Sequence, residues 1–249
     1  MKHIITITSL LAAGTLLANA ETYNDLLAST DGWQLVSNRG RGNFTIDTAL
    51  ETLNMSNSNW GQGVASYDFE NNITLGEGDV LRFSLDMNVL NSEGSFVFTL
   101  VGRDQVIAIG KNYNQDVLSY GVEGVSTDKL AFQFKENAGT YTGKLSSKTD
   151  SSTATTASVS ISGTIEKNEA LSEYILNLTL GGSEIISGIS LGASFELDKI
   201  GFYGDGDNNT SNVTFSNLSI SSIPEPSAFG LLAGLGALAL AGTRRRRRK

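Results

Sequence analysis

The chain has 249 residues and a formal net charge of −8, with 18 Lys and Arg against 26 Asp and Glu. It contains no cysteine, and its one histidine is His3. Beyond residue 3 the chain therefore cannot build a Cys or His metal site, a Ser-His-Asp triad or a histidine general base, so any catalysis there would depend on carboxylates, Tyr, Lys or Ser. The acidic balance also excludes nucleic acid as a partner.

The first twenty residues, MKHIITITSLLAAGTLLANA, have the layout of a secretory signal peptide. Lys2 supplies the basic start, residues 4–17 form a mostly apolar segment, and Ala18 and Ala20 are small residues at the two positions that signal peptidase reads. We therefore predict a signal helix here and an exported mature chain that begins at Glu21.

The body, residues 21–222, is predicted to be one domain. Seven of the 18 basic residues (Lys2 and 244–249) and one of the 26 acidic residues (Glu225) lie outside it, which leaves 11 against 25 and a net charge of −14. An all-β domain commonly has this size, roughly 200 residues. A core of that extent needs no disulfides even in an exported protein.

Alternation of apolar and polar residues is the main pattern of the body. In DVLRFSLDMNVL, residues 79–90, the odd-numbered positions from 81 to 89 are apolar and the even-numbered ones are mostly polar, as in a half-buried strand. GSFVFTLVG, residues 94–102, is apolar on both faces, which predicts a strand covered on both sides. Further strands are predicted in SEYILNLTL, FELDKIGFYG and SNVTFSNLSIS.

Clusters of Gly, Asn, Asp and Ser separate these runs and read as turns, and no apolar run keeps a 3.6-residue period long enough for a substantial helix. The body is therefore predicted to be all-β, an antiparallel sandwich or jelly roll. The Ser- and Thr-rich stretch 143–160 is predicted to be a flexible hairpin loop, with a glycosylated spacer as the alternative.

The end of the body, residues 195–221, resembles the closing strands of concanavalin A-like and laminin-G-like jelly rolls. Those domains often end in a Gly-Phe strand, a polar loop and a strand of the form Val-x-Phe-Asp-Asn-Leu-x-Ile. The matching residues are Val213, Phe215, Asn217, Leu218 and Ile220, whereas Ser216 stands in place of the aspartate. The odd spacing of Phe215 and Leu218 predicts a β-bulge at Ser216–Asn217.

Glu196 and Asp198 are two carboxylates at i and i+2 of a predicted strand and so share a face. Retaining glycosidases use a carboxylate pair about 5 Å apart. The segment also resembles the Glu-x-Asp-x-x-Glu signature of jelly-roll endoglucanases, but Gly201 replaces the third acid. We predict a protein that is not an enzyme, and the alternative is a glycoside hydrolase that uses Glu196 and Asp198.

The segment DGDNN places oxygen ligands at alternate positions, with Asp205, Asp207 and Asn209 as candidate calcium ligands. Thr210 and Ser216 stand where an EF-hand loop has Gly and Glu. Two interpretations remain open, a calcium site of another type and a polar hairpin turn, and no other cofactor is predicted.

Aromatic rings serve as stacking platforms for sugars because a ring face fits the apolar face of a pyranose. Trp60, in SNSNWGQG, and Trp33 are the candidate carbohydrate contacts. The alternative for each is an anchor in the core or in a loop.

The chain ends in IPEPSAFGLLAGLGALALAGTRRRRRK, residues 223–249. Residues 227–243 carry no charge and would reach roughly 25 Å as a helix, close to the roughly 30 Å hydrocarbon core of a membrane. The basic cluster that follows would stay on the cytoplasmic side. Its members are Arg244, Arg245, Arg246, Arg247, Arg248 and Lys249.

Pro224, Glu225 and Pro226, the apolar span and the basic cluster together resemble the PEP-CTERM sorting signal of exopolysaccharide-producing Gram-negative bacteria. The resemblance implies processing by an exosortase, a membrane transpeptidase that cuts near the triplet. It also implies an inner-membrane intermediate and delivery to the cell surface, the outer membrane or the extracellular matrix. The predicted role is structural or adhesive, with extracellular polysaccharide as the expected partner.

Overall fold

The computed structural model describes residues 21–38, 42–57, 61–76, 78–92, 94–111, 115–124, 149–155, 157–205 and 211–223. Within these ranges the chain forms fifteen strands and no helix. No helix in the described part is therefore long and apolar enough to span a membrane. The predicted signal helix and the predicted C-terminal helix lie outside the described residues.

The strands are numbered in chain order. They are β1 Glu21–Tyr23, β2 Trp33–Asn38, β3 Gly42–Asp47, β4 Thr52–Asn57, β5 Gln62–Thr74, β6 Val80–Ser92, β7 Ser95–Gly102, β8 Gln105–Lys111, β9 Val117–Gly124, β10 Thr149–Ala154, β11 Ser158–Asn168, β12 Glu173–Leu180, β13 Glu184–Ser190, β14 Glu196–Asp205 and β15 Ser211–Ile223.

Two antiparallel sheets contain all fifteen strands. The eight-stranded sheet has the order β13-β12-β11-β6-β15-β4-β3, with β1 paired to β15. The seven-stranded sheet has the order β10-β9-β8-β7-β14-β5-β2. The chain crosses between the sheets many times, for example from β4 to β5, β5 to β6 and β6 to β7, which is the connectivity of a jelly roll. The predicted all-β sandwich is confirmed.

Phenylalanine rings from both sheets meet in the middle of the sandwich. Phe215 of β15 lies 4.7 Å from Phe202 of β14 and 6.5 Å from Phe96 of β7, measured between ring centroids. Phe83 of β6 lies 6.2 Å from Phe98 of β7. These contacts bury large apolar side chains between the sheets, and each fully buried ring stabilises the fold by about 1.5 to 3 kcal/mol.

The alternation in the sequence correctly predicts which side chains enter this core. The apolar positions 81, 83, 85, 87 and 89 of β6 are all buried, and so are positions 174, 176, 178 and 180 of β12. The bulge near the end of the chain is also confirmed, because the register between β15 and β6 shifts between Ser216 and Ser219. Asn217 adopts a φ of 53° there, and Phe215 and Leu218 both face the core.

The seven-stranded sheet is buried on both faces along its central strands. Phe96, Phe98 and Leu100 of β7 belong to the core between the sheets, whereas Val97 and Thr99 point the other way and are equally buried. The prediction of a strand covered on both sides is confirmed. Strands that are covered on both faces are typical of parallel sheets, and here one occurs in an antiparallel sheet.

A carboxylate joins the two sheets along one side of the sandwich. Glu184 begins β13, at the edge of the eight-stranded sheet, and accepts hydrogen bonds from Ser152 N–H at 2.9 Å and from the Thr153 hydroxyl at 2.7 Å, both on the edge strand β10 of the other sheet. Burial acts to raise the pKa of Glu184, but these hydrogen bonds outweigh it and hold the pKa below its ordinary value.

The prediction of a flexible loop over 143–160 is wrong for the part of it that the structure describes. Residues 149–154 form β10, and β11 begins at Ser158. The many Ser and Thr residues made this stretch resemble a loop. The apolar side chains of Val159 and Ile161 nevertheless alternate into the core, and their burial favours a strand. Residues 143–148 lie outside the described ranges.

Candidate functional site

The structure brings Glu196 and Asp198 to the outer side of the seven-stranded sheet, at the start of β14. Leu197 pairs with Gly102 of β7 and Lys199 pairs with Val101, so that Asp198 is an extra, bulged residue. The bulge turns Asp198 and Lys199 outward in succession, while Leu197 and Ile200 both face the core.

The two carboxylates have different surroundings. Glu196 accepts a hydrogen bond from the Asn72 side-chain amide at 2.9 Å and lies 3.8 Å from the Arg103 guanidinium. Asp198 has one buried carboxylate oxygen, Oδ1, with no hydrogen-bond partner among the described residues. Burial, and secondarily the charge of Glu196, raise the pKa of Asp198 above its ordinary value, and Lys199 and Arg103 only partly offset this.

Asp198→Asn is expected to stabilise the protein at neutral pH by about 0.5 to 1 kcal/mol at most, because one carboxylate oxygen is buried without a partner and the group lies beside the charge of Glu196. Solvent screening of the partly exposed carboxylate limits the gain. The native state holds the Asp198 proton more tightly than the unfolded chain, so its ionisation costs stability as pH rises through the window above the ordinary aspartate pKa. The gain should therefore disappear below that ordinary value, about 3.9.

Thermal unfolding of both proteins at neutral and at acidic pH measures this gain. Glu169→Gln is a matched control, since it removes one negative charge from an exposed turn position. An equal effect of the two substitutions would contradict the local explanation and assign the gain to net charge.

A cavity of about 330 Å³ opens next to Glu196, where the β7–β8 turn approaches the segment before β14. The residues that line it are Thr74, Gly102, Arg103, Asp104, Gln105, Tyr174, Ala193, Ser194, Phe195 and Glu196. Asp198 is not among them. Tyr174 donates its hydroxyl to the Leu75 carbonyl at 2.8 Å, and the Gln105 amide donates to the Leu191 carbonyl. Of the two carboxylates, Glu196 therefore lines the cavity and Asp198 does not.

The candidate calcium ligands fall mainly outside the described residues. Asp205 is the last residue of β14, whereas Asp207 and Asn209 belong to the range 206–210, which the structure does not describe. In the described part of the chain, no three Asp, Glu, His or Cys side chains form a group suited to a metal ion. Calcium binding by this segment stays a prediction.

Of the two candidate tryptophans, Trp33 lies in β2 and Trp60 lies outside the described residues. The indole N–H of Trp33 donates to the Leu26 carbonyl at 2.8 Å. Its ring packs 5.5 Å from Tyr67 and 6.0 Å from Phe202, measured between centroids. Trp33 therefore serves as an anchor at the margin of the core, and its contact with a sugar stays a prediction.

The outer face of the eight-stranded sheet presents rows of hydroxyl and amide side chains. One row crosses five strands, and its directly paired members are Thr45, Asn54, Thr214, Asn88 and Ser158. A second row crosses β15, β6, β11 and β12, and its members are Ser219, Ser84, Ser162 and Thr179. Such rows place neighbouring side chains roughly 5 Å apart across strands and roughly 7 Å apart along them.

The sequence contained a signal for this outer face that the search for catalytic and aromatic residues did not use. Ser and Thr alternate with apolar residues in SVSISGTIEKN, and Asn and Thr alternate with them in NVT and NLT. Alternation identifies the outward residues of each strand, but only the strand pairing shows that they join into one surface.

The sheets, their order and their antiparallel pairing define an all-β jelly roll. Residues 222–248 match the PEP-CTERM protein-sorting motif. The predicted sorting signal is thus confirmed. No curated protein matches the sequence.

Solved structures that are similar to this chain include a plant lectin, a lectin-like plant protein and the CBM2 module of a phage protein. The Lotus tetragonolobus seed lectin is 11% identical, with a TM-score of 0.46, and 82% of this chain and 98% of that chain are covered. The CBM2 module of the evolved Dit of Lactobacillus casei BL23 phage J-1 is 13% identical, with a TM-score of 0.48 and coverages of 82% and 95%. Arcelin-5, a lectin-like defense protein from Phaseolus vulgaris, is 10% identical, with a TM-score of 0.47 and coverages of 84% and 100%. These likenesses concern the fold.

Proposed function

We propose that this chain is an exported protein of the cell surface or exopolysaccharide matrix, where its sandwich has a structural or adhesive role and binds polysaccharide weakly. The match of residues 222–248 to the PEP-CTERM motif carries the proposal, because it is the motif of a sorting system. In this proposal a signal peptide directs export, and the C-terminal helix holds an inner-membrane intermediate. An exosortase then releases the body outward.

The body is proposed to bind rather than to catalyse. It lacks histidine and cysteine, and Asp198 does not line the cavity that Glu196 reaches. A glycoside hydrolase remains the second candidate, since Asp198 has a raised pKa beside a hydrogen-bonded Glu196, and a general acid and its partner carboxylate differ in this way. Release of reducing sugar from polysaccharides, abolished in an E196Q/D198N variant, would favour the hydrolase. A binding protein releases none.

The routing is tested by replacing Pro224, Glu225 and Pro226 together with alanine in the native bacterium. The variant is expected to accumulate in the inner-membrane fraction and to be lost from the cell surface and the medium, because the sorting enzyme no longer recognises its tail. Cell fractionation followed by immunoblotting measures the distribution. Ile223→Val is a conservative control just outside the triplet, and unchanged surface delivery of the triple variant would refute the proposal.

A further inference from the structure

A shallow depression of about 410 Å³ lies on the outer face of the eight-stranded sheet, where β15, β6, β11 and β12 run side by side. The polar side chains that line it are Arg82, Ser84, Ser162, Thr164, Asn177, Thr179, Ser219 and Ser221. Six of these eight side chains carry a hydroxyl group, and Arg82 is the charged one among them. The depression is therefore a nearly uncharged region of a strongly acidic body.

Several other polar groups on this face hydrogen-bond to one another. The Thr214 hydroxyl donates to Asn54 Oδ1 at 2.9 Å. Asp86 accepts the Ser160 hydroxyl at 2.6 Å and the Asn217 amide at 2.7 Å. Groups that are engaged in this way within the protein are poorly available to a ligand, since a new partner must first replace an existing hydrogen bond.

Three hydroxyl groups at the floor of the depression make no such internal hydrogen bonds among the described residues. Among the described residues, nothing hydrogen-bonds to the side chains of Ser84, Ser162 or Thr179, which lie side by side on three neighbouring strands. The Arg82 guanidinium, one step along β6, likewise has no ion-pair partner in the described part of the chain. Four adjacent side chains thus keep their hydrogen-bonding capacity for water or for a ligand.

We propose that this depression binds a segment of an uncharged polysaccharide through Ser84, Ser162, Thr179 and Arg82. The inference rests on the proposed function and names the surface and the ligand class. Each hydroxyl both donates and accepts, as sugar hydroxyls do, and the guanidinium supplies further donors to hydroxyl oxygens. An acidic polymer is disfavoured because the body carries a net charge of −14.

The affinity of such a site for a single sugar unit is low, and it increases with the number of units in a polymer. Exposed hydrogen bonds to neutral groups exchange with water, so each contributes little, and repeated sugar units supply the missing affinity by multivalency. The retention should also persist at high salt, because no ion pair contributes to it.

The test is affinity electrophoresis of the full chain, in a mild detergent, through gels that contain dextran, glucomannan or alginate. The variant S84A/S162A/T179V removes three hydroxyls with little change of volume. It should lose about tenfold in retention on whichever neutral polymer retards the wild type, since three lost hydrogen bonds together are worth about one power of ten.

A matched variant, T45V/S56A/S158A, removes three outward hydroxyls of the same face but outside the depression. It should be retarded like the wild type. Equal retention of the wild type and S84A/S162A/T179V would overturn the depression as the site while leaving polysaccharide binding intact. Absence of retention on every gel would overturn both polysaccharide binding and the site, and retention on alginate alone would overturn the uncharged ligand.

A second copy of the chain could occupy the depression instead of a polysaccharide. Size-exclusion chromatography with light scattering tests this alternative. The wild type and S84A/S162A/T179V are expected to have the same mass in solution. A dimer that dissociates in this variant alone would overturn the polysaccharide as occupant and assign the depression to self-association.

Discussion

Replacing Phe215 by alanine is expected to lower the free energy of unfolding by about 3 to 5 kcal/mol, the range for truncating a buried aromatic side chain. Phe215 is fully buried and lies in β15, where it pairs with Met87 of β6 in the eight-stranded sheet. Its ring meets Phe202 and Phe96, which belong to the other sheet. The substitution therefore leaves a cavity at the point where the two sheets are held together.

Urea denaturation measures this loss, with the fluorescence of the partly buried Trp33 as one probe. Leu90→Ala is the matched control, because Leu90 lies on the neighbouring strand β6 but is 70% exposed. Its truncation should change the free energy of unfolding by less than about 0.5 kcal/mol. If Leu90→Ala costs as much as Phe215→Ala, the core does not lie where the structure places it.

Gly110→Ala is expected to destabilise the protein by at least about 3 kcal/mol, although the change adds a single methyl group. A Cβ atom at this position of β8 would lie 2.1 Å from the Phe96 carbonyl oxygen and 2.6 Å from the Val97 Cα. Both atoms belong to the backbone of the adjacent strand β7, so no side chain can turn aside. The two strands would have to separate in the buried middle of the seven-stranded sheet.

Gly76→Ala is the control for the loss of a glycine. A Cβ there would meet only the end of the Asp79 side chain, at 3.0 Å, in an exposed turn. That side chain can move, so the cost should stay below about 1 kcal/mol. Soluble expression and urea denaturation of both variants distinguish the cases, and near-wild-type stability of Gly110→Ala would contradict the register of β7 and β8.

Of the two β-bulges near the candidate sites, the sequence analysis predicted one and missed the other. The bulge at Ser216–Asn217 could be predicted because an odd spacing between two core residues requires an extra residue in the strand. The bulge at Asp198 was not predicted, although Leu197 and Ile200 show the same odd spacing. It adds Lys199 to the outward side chains and leaves Glu196 and Asp198 on one face, as the sequence predicted. Glu196 lines the neighbouring cavity, whereas Asp198 does not.

By itself the sequence determined the all-β class, the inward residues of the main strands, the lack of histidine and cysteine in the body, and the sorting motif. Each of these depends on residue identity or on spacing over a few residues. Only the tertiary structure decided which strands are neighbours. Asp86 meets Ser160, 74 residues away, and Asn217, 131 residues away. Alternation specifies the face of a side chain but not the partner of its strand, so the depression on the eight-stranded sheet exists only once β6, β11, β12 and β15 are paired.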